Sequence, residues 1–298
     1  MAAVLPRLPD DRLALLAGNY RAAVRGQQAR TLLAALVIAA LASLSGWVAE
    51  VDFGRFAEHI GGFFGYFDRL LTLEQGNRAG GRVWTDPGEW FWGGRKWSLL
   101  LADTLLMAYV GTMLGAVGGF CLSFAAAANL VANPWARGAV KRVLEVCRTV
   151  PDIVFALVFV LAFGLGPLPG VLALALHTLG ALGKLFTEVI ENISMKPVEG
   201  ALAAGASWTE TVRFAALPQV LPNFASYALL RFEINVRQAS VLGFVGAGGI
   251  GQDLIEAIRK FYYNDVAAIL LLIILTVMLI DLGTERLRHR LMEREGGA

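Results

Sequence analysis

Residues 99–128 read LLLADTLLMAYVGTMLGAVGGFCLSFAAAA, a run in which Asp103 is the one charged residue. A helix needs about 20 predominantly apolar residues to cross the hydrocarbon core of a bilayer. This run is therefore long enough to span a membrane. The whole chain of 298 residues shares the bias, since 56% of it is hydrophobic and 17% is charged, against about 25% charged in soluble domains. We predict an all-α membrane protein.

Five further segments have the length and apolarity of membrane helices. They are 31–49, 150–166, 171–190, 224–245 and 265–283. The first of these starts too late in the chain to be a removable signal peptide. The third and fourth spans of the resulting six are joined by a predicted turn at 166–170, which reads GPLPG. The sequence thus predicts a polytopic membrane protein with about six transmembrane helices.

Basic residues predict the orientation of these spans. They cluster before the first span, after the second and after the sixth. An even number of spans puts all three clusters on one side, which the positive-inside rule makes the cytoplasm. Both termini are then cytoplasmic. The predicted organisation is a cytoplasmic segment at 1–30, a first span with an outer segment at 31–98, a membrane core at 99–285 with a cytoplasmic loop at 191–222, and a cytoplasmic tail at 286–298.

The outer segment 50–98 contains an aromatic stripe. Its apolar residues at near-helical spacing are Phe53, Phe56, Ile60, Phe63, Phe64 and Phe67. This pattern predicts an amphipathic helix, and the tryptophans that follow are typical of a membrane–water interface. An interfacial anchor and a contact with an external binding protein are both open for this segment.

The loop between the fourth and fifth spans reads EGALAAGASWTETVRFAALP at 199–218. Pro197 can open a helix there, and Glu199 then lies near the positive end of the helix dipole. Gly205 can end that helix or permit close backbone approach. A short helix of small residues on the cytoplasmic side suits insertion into a groove on a partner protein.

This loop resembles the EAA signature of bacterial ABC importer permeases. That signature reads E-A-A, three residues, G, nine residues, I, one residue, L-P, and the spacing is kept here. Two letters differ, because Gly200 and Ala215 replace alanine and isoleucine. The resemblance implies that the loop is the coupling helix that receives movement from an ATPase. The residues it assigns to ATPase coupling are Glu199, Gly200, Ala201, Gly205, Leu217 and Pro218.

Charged residues inside the fifth span indicate a second candidate site. Such residues usually face a cavity or a partner, because a charge in the bilayer centre is costly. Glu233 and Arg237 are four residues apart and can pair on one face, which leaves Arg231 without an evident partner. We predict that Arg231 or Arg237 lines a path for an oxyanion, with an internal ion pair or snorkelling as the alternative. In the fourth span, His177 and Lys184 share roughly one face, for which lining the path and packing are both open, and Lys184 can pair with Glu188.

A glycine-rich stretch follows the fifth span. It reads LGFVGAGGIG at 242–251 and contains Gly243, Gly246, Gly248, Gly249 and Gly251. It follows a membrane helix rather than a strand, so a dinucleotide loop is not indicated. We expect these glycines to allow close helix packing and a flexible break that could shape a gate near the outer face.

Several strings within 103–291 look like the phosphonate-type importer permeases. They are RTVPD at 148–152, LALHTLGALGKLF at 174–186, PVEGA at 197–201, FEINVR at 232–237 and VGAGGIG at 245–251. The resemblance implies the type I permease fold of ABC importers in a bacterial inner membrane. It also implies a permease homodimer, two cytoplasmic ATPase subunits that bind ATP and Mg, and an extracytoplasmic phosphonate-binding protein. The expected substrate is a phosphonate or a related anion such as phosphite or phosphate.

Three alternatives remain open from the sequence. A methionine- or osmolyte-type permease would share the loop and the glycine-rich turn but would not need Arg231 and Arg237. A membrane enzyme would need clustered acids or histidines, whereas the three histidines are scattered and the two cysteines have no metal-ligand spacing. A passive channel would need no ATP. No Walker-type loop occurs, so we expect no catalytic site, no metal and no cofactor on this chain, and no nucleic-acid partner.

Overall fold

The computed structural model describes residues 10–73 and 79–293. The regular secondary structure of these residues is helical, with no β-strand among them. The six predicted spans and the amphipathic helix predicted in the outer segment all overlap helices. The twelve α-helices are α1 Asp10–Val48, α2 Phe53–Leu70, α3 Pro87–Trp90, α4 Gly94–Ala126, α5 Pro134–Thr149, α6 Asp152–Phe163, α7 Pro167–Glu191, α8 Met195–Ala203, α9 Trp208–Thr211, α10 Leu217–Leu242, α11 Ile250–Arg259 and α12 Tyr263–Glu293. The prediction of an all-α membrane protein is confirmed.

The chain divides into two compact units, Met1–Gly65 and Tyr66–Ala298. In the first unit, the described part of α1 contains a candidate span of 31 residues, Gly18–Val48. After α1, the left-handed conformation of Glu50 (φ 54°) turns the chain, and Asp52 accepts a hydrogen bond from the N–H of Arg55 as α2 begins. Along α2 the aromatic side chains of the predicted stripe are exposed, with Phe53 at 77%. The predicted amphipathic helix is therefore present.

The second unit is a bundle built on α4 and α7. These two helices approach closely because glycines recur every fourth residue on α4, at Gly111, Gly115 and Gly119. A Cβ at Gly115 would lie 2.6 Å from the Cβ of Thr178, and one at Gly119 would lie 2.9 Å from the backbone nitrogen of Gly183. Small residues at this spacing let membrane helices pack backbone to backbone.

Among the described residues, four helices are long and apolar enough to cross a membrane singly, and the number rises to six if each of two bent helix pairs counts as one span. The prediction for 150–166 needs revision, because α6 has 12 residues and reaches only about 18 Å. It continues α5 through a bend of 87° at Pro151. A residue before proline avoids the helical conformation, and Val150 is extended (ψ 124°).

The turn between the third and fourth spans lies slightly earlier than predicted. Gly164 and Gly166 have positive φ angles of 87° and 139°, and α7 already begins at Pro167. Proline is favoured in the first turn of a helix, where its missing N–H costs no hydrogen bond. The residues 167–170 that sequence placed in the turn are therefore helical.

Candidate functional site

The loop predicted to meet an ATPase folds as α8 and a sharp turn. The N–H of Gly205 donates to the carbonyl of Leu202 at 3.0 Å, and the N–H of Ala206 donates to that of Ala201 at 3.1 Å. This pair of bonds is the Schellman motif that ends many helices. Gly205 has φ +83°, a conformation that glycine adopts without strain. Gly205 therefore ends α8 and reverses the chain.

The outer surface of α8 is small and exposed. Val198 is its one buried residue, whereas Glu199 and Gly200 are exposed and Leu202 is 55% exposed. A Cβ built on Gly200 or Gly205 would meet no heavy atom within 4 Å. Apart from the half-buried Ala201, the residues from Glu199 to Gly205 are exposed, so this surface is open to another protein.

The other two predicted coupling residues lie elsewhere. A capping box between Ser207 and Glu210 starts α9, and the π-helical turn Val212–Ala216 leads from α9 into α10. Leu217 and Pro218 form the first turn of α10, where Leu217 packs against a buried aromatic cluster. They lie at the base of a membrane helix rather than on the exposed surface of α8.

The base of this loop is held by contacts that sequence reasoning missed. The Glu191 carboxylate accepts a hydrogen bond from the N–H of Ala128 at 2.9 Å and pairs with Lys141 at 2.9 Å. The indole N–H of Trp208 donates to the carbonyl of Leu130 at 3.1 Å. These bonds join the loop to the connection between α4 and α5. A tryptophan three residues after a helix-ending glycine was the available signal in the sequence.

Gln219 holds the loop on its other side. Its side-chain oxygen accepts from the N–H of Ser194 at 3.0 Å, and its side-chain nitrogen donates to the carbonyl of Ser194 at 3.3 Å. Ser194 precedes α8 and Gln219 lies in the first turn of α10. The two ends of the loop are thus joined directly.

Arg231 lies half-buried in α10, and the two side chains that it bonds are neutral. Its Nε donates to the hydroxyl of Thr178 at 3.3 Å, and one terminal nitrogen donates to Gln238 at 3.3 Å. Within the described residues it forms no ion pair with an acid at 4 Å or less. The other terminal nitrogen makes no hydrogen bond to the described residues. Arg231 is thus held in place by neutral side chains, and one of its terminal nitrogens bonds none of the described residues.

Arg237 has a different environment. It pairs with Glu233 at 2.5 Å and with Asp281 of α12 at 3.7 Å. Glu233 also accepts a hydrogen bond from Thr284 at 3.4 Å. The expected pair of Glu233 and Arg237 is present, and it joins α10 to α12. The charge of Arg237 is therefore compensated within the chain, unlike that of Arg231.

The structure separates the two predicted residues of α7. His177 directly precedes Thr178 in α7, and the hydroxyl of Thr178 accepts the hydrogen bond from Arg231. Lys184 approaches Glu188 at 3.9 Å and lines a cavity of about 140 Å³ between α5 and α7, together with Lys141. His177 thus belongs with Arg231, while Lys184 lies with the charged groups of the α5–α7 cavity.

A buried amide lies beside Arg231. The side-chain nitrogen of Asn235 donates to the hydroxyls of Thr112 and Thr178, both at 2.8 Å. Thr178 also accepts the bond from Arg231, so α4, α7 and α10 meet at one polar cluster. The side-chain oxygen of Asn235 is buried without a hydrogen-bond partner among the described residues. Sequence reasoning did not single out this residue, since an isolated asparagine has no pattern.

The glycine-rich segment makes a tight turn. Gly246, Gly248 and Gly249 have φ angles of 88°, 80° and 71°. The N–H of Ile250 donates to the hydroxyl of Thr104 at 2.9 Å, which attaches the turn to α4. Left-handed angles at three nearby positions explain why glycine is present at each. The turn bends the chain by 48° before α11.

Gly243 and Gly251 allow α10 and α11 to touch. A Cβ on Gly251 would lie 1.8 Å from the carbonyl oxygen of Ser240, and one on Gly243 would lie 2.5 Å from the nitrogen of Gln252. Neither contact can be relieved by turning a side chain, because the opposing atoms are backbone. Close packing is therefore the structural role of these two glycines.

The substitution Gly251→Ala is expected to destabilise the protein by about 3 kcal/mol or more, since overpacking against backbone forces the helices apart. The measurement is the melting temperature of the purified protein in detergent. Gly138→Ala is the matched control, because Gly138 lies in α5 with no heavy atom within 4 Å of its added Cβ. An equal melting temperature for both variants would show that α10 and α11 do not pack in this way.

Comparison with known proteins decides the family. Residues 119–294 match the family described as binding-protein-dependent transport system inner membrane component. The chain belongs to this family. As a member, it is a multi-pass permease component of the inner membrane, and the relatives found for it are also transport permeases.

Relatives of this chain include three transport permeases that are named for phosphite, phosphate or phosphonate. The chain is 45% identical over 191 residues to the phosphite transport system permease protein PtxC of Stutzerimonas stutzeri, covering 64% of this chain and 70% of the relative. It is 40% identical over 195 residues to the phosphate-import permease protein PhnE of Mycolicibacterium smegmatis, covering 65% of this chain and 37% of the relative. It is 52% identical over 117 residues to the putative cryptic phosphonate transport system permease protein PhnE2 of Escherichia coli, covering 39% and 96%.

Solved structures support the fold of the family. A chain of the MetNI methionine ABC transporter in an inward-facing conformation matches with a TM-score of 0.56 and 22% identity, covering 65% of this chain and 95% of that chain. A chain of a bacterial alginate ABC transporter matches with a TM-score of 0.52 and 16% identity, covering 86% and 94%. The predicted ABC importer permease fold is confirmed. At these identities the likeness concerns the fold alone.

Proposed function

We propose that this permease conducts phosphorus oxyanions, such as a phosphonate, phosphite or phosphate, in an importer driven by ATP. Relatives named for these anions are 38–52% identical to the chain over the aligned residues. Relatives named for glycine betaine and proline betaine transport reach 23%. The observation that carries the proposal is Arg231, a half-buried guanidinium without an ion-pair partner among the described residues.

Arg231 fits an oxyanion chemically. A guanidinium presents donors in a rigid fork that matches phosphate oxygens, and charge-assisted hydrogen bonds are stronger than neutral ones. Thr178 and Gln238 occupy two of its nitrogens, so the third can donate to a solute. Arg237 is less suited, because Glu233 and Asp281 already balance its charge. Among the predicted path residues, Arg231 and the nearby His177 are therefore our choice for contact with the anion.

In this proposal, partner ATPases supply the free energy of ATP hydrolysis that drives transport. Two copies of the chain form the path, and two cytoplasmic ATPases bind ATP and Mg²⁺. The surface of Glu199, Gly200, Ala201 and Gly205 on α8 docks into an ATPase, while Leu217 and Pro218 pass the movement to α10. An extracytoplasmic binding protein delivers the anion. Cytoplasmic termini for the chain are supported by the basic residues that cluster before the first span, after the second and after the sixth.

The transport cycle follows from these roles. ATP binding closes the ATPases, α8 moves with them, and the membrane helices open outward to receive the anion from its binding protein. Arg231 holds the anion within the bundle, where a positive charge lowers its cost of leaving water. Hydrolysis then returns the permease to its inward-facing state and releases the anion to the cytoplasm.

Uptake into vesicles tests this function. The permease, the ATPase and the binding protein encoded beside it would be reconstituted together, and uptake of a phosphonate, phosphite, phosphate and methionine would be compared with and without ATP. We expect ATP-dependent uptake of one phosphorus oxyanion above methionine. Methionine-led uptake would contradict the substrate class, and uptake independent of ATP would contradict the importer mechanism.

A further inference from the structure

Gln219 forms three hydrogen bonds, all of them to main-chain atoms. Two join it to the N–H and the carbonyl of Ser194, at 3.0 and 3.3 Å. The third runs from its side-chain nitrogen to the carbonyl of Ala215 at 2.7 Å. A planar amide that both accepts from and donates to one residue fixes the separation and the orientation of the two segments. Sequence reasoning gave Gln219 no role.

These bonds close the coupling loop at its base. Between Ser194 and Gln219 the chain passes through α8, the turn at Gly205, α9 and the π-helical turn Val212–Ala216. A displacement of α8 that travelled only along the chain would be absorbed at the turns. The direct bond between Ser194 and Gln219 instead connects the start of α8 to the first turn of α10.

Gln219 also faces the space between two membrane helices. It lines a cavity of about 470 Å³ together with Glu188 of α7, Asn192 just after α7, and Asn223 and Tyr227 of α10. A shift of the first turn of α10 would therefore change this polar cavity. Gln219 therefore both bonds the residue that precedes α8 and lines this cavity.

We propose that Gln219 is a positioning residue that transmits the movement of α8 to α10. The inference rests on the proposed function, in which α8 docks on an ATPase. Gln219 need not touch the anion or the ATPase in this role. Its loss should uncouple ATP hydrolysis from transport without preventing assembly.

The first test compares three variants in the reconstituted transporter. Gln219→Leu keeps the size of the side chain but loses all three bonds, and we expect the ATP hydrolysed per anion imported to rise about tenfold. Gln219→Glu keeps an acceptor for the N–H of Ser194 and should show a smaller rise. Ser194→Ala should leave the ratio unchanged, because the bonds use main-chain atoms and the Ser194 side chain does not cap α8.

The outcomes separate this inference from the proposed function. A normal ratio in Gln219→Leu, or an equal rise in Ser194→Ala, would overturn the role of Gln219. The variant Gly205→Val disturbs α8 by another route, so a defect there beside a normal Gln219→Leu would leave the docking role of α8 intact. Normal coupling in both would remove the docking role as well.

Cross-linking covers the case in which Gln219→Leu fails to assemble. Cysteines would replace Ser194 and Gln219 in a chain whose own Cys121 and Cys147 are changed to serine and alanine. Before oxidation this variant lacks the three bonds of Gln219 and should be uncoupled. Oxidation with copper phenanthroline should join the two cysteines and lower the ATP hydrolysed per anion imported, because the disulfide replaces the lost connection. Loss of transport on oxidation that a reductant restores would overturn the inference, and failure to cross-link would contradict the contact itself.

Discussion

Replacing Arg231 with glutamine is expected to lower ATP-driven uptake of the preferred phosphorus oxyanion by about a hundredfold. The substitution removes the charge that would pair with the anion, and each hydrogen bond to a charged group contributes about 1.5–3 kcal/mol. Arg231→Lys should recover only part of the activity. A lysine keeps the charge but cannot bond Thr178 and Gln238 in the same geometry and still face a solute.

Arg237→Gln is the matched control for Arg231→Gln. Both residues lie on α10, but Arg237 pairs with Glu233 and Asp281. Its loss leaves two acids without their cation, so we expect a lower melting temperature and a smaller loss of uptake per assembled transporter. Uptake and melting temperature would be measured on the same preparations. Normal uptake by an assembled Arg231→Gln transporter would exclude Arg231 from the path.

The helices of the bundle could be predicted because apolar length and composition are properties of each segment alone. The run at 99–128 corresponds to α4, Gly94–Ala126, and the run at 265–283 lies within α12, Tyr263–Glu293. The bend between α5 and α6 was harder to predict from the sequence. Composition changes at this point, from the charged α5 to the apolar α6, and Pro151 marks a break between helices, but neither feature gives the angle of 87° between them.

The candidate site could be predicted only where its residues are close in the chain. The pair of Glu233 and Arg237 follows from a spacing of four on one helix. Arg231 meets Thr178, 53 residues away, and no periodicity within α10 reports which face of α7 it will meet. The same holds for Gln219, whose partner Ser194 is 25 residues away across a folded loop.

Glycine stretches show a second limit. The run at 242–251 has one composition but two structural roles. Gly246, Gly248 and Gly249 adopt left-handed angles, whereas Gly243 and Gly251 remove side chains where α10 meets α11. Both requirements select the same residue, so the sequence indicates that glycine is needed without saying which requirement applies.

Gly205→Val is expected to lower uptake by about tenfold or more while ATP hydrolysis continues, which is the signature of an uncoupled transporter. Gly205 has φ +83°, and a β-branched residue in this left-handed conformation costs at least about 1–2 kcal/mol. The strain would be relieved by moving the end of α8, because Gly205 supplies one of the two hydrogen bonds that close the helix. Folding should survive, since Gly205 is exposed and an added Cβ meets no heavy atom within 4 Å.

Gly205→Asn separates the backbone from added bulk. Asparagine adopts the left-handed conformation more readily than valine, so α8 should keep its end and coupling should be largely retained. The measurements are ATP hydrolysis and anion uptake by the same reconstituted transporters. If valine and asparagine uncouple equally, bulk at the docking surface is responsible rather than the geometry of the turn. If neither changes the ratio of hydrolysis to uptake, the segment from Glu199 to Gly205 does not receive the movement of the ATPase.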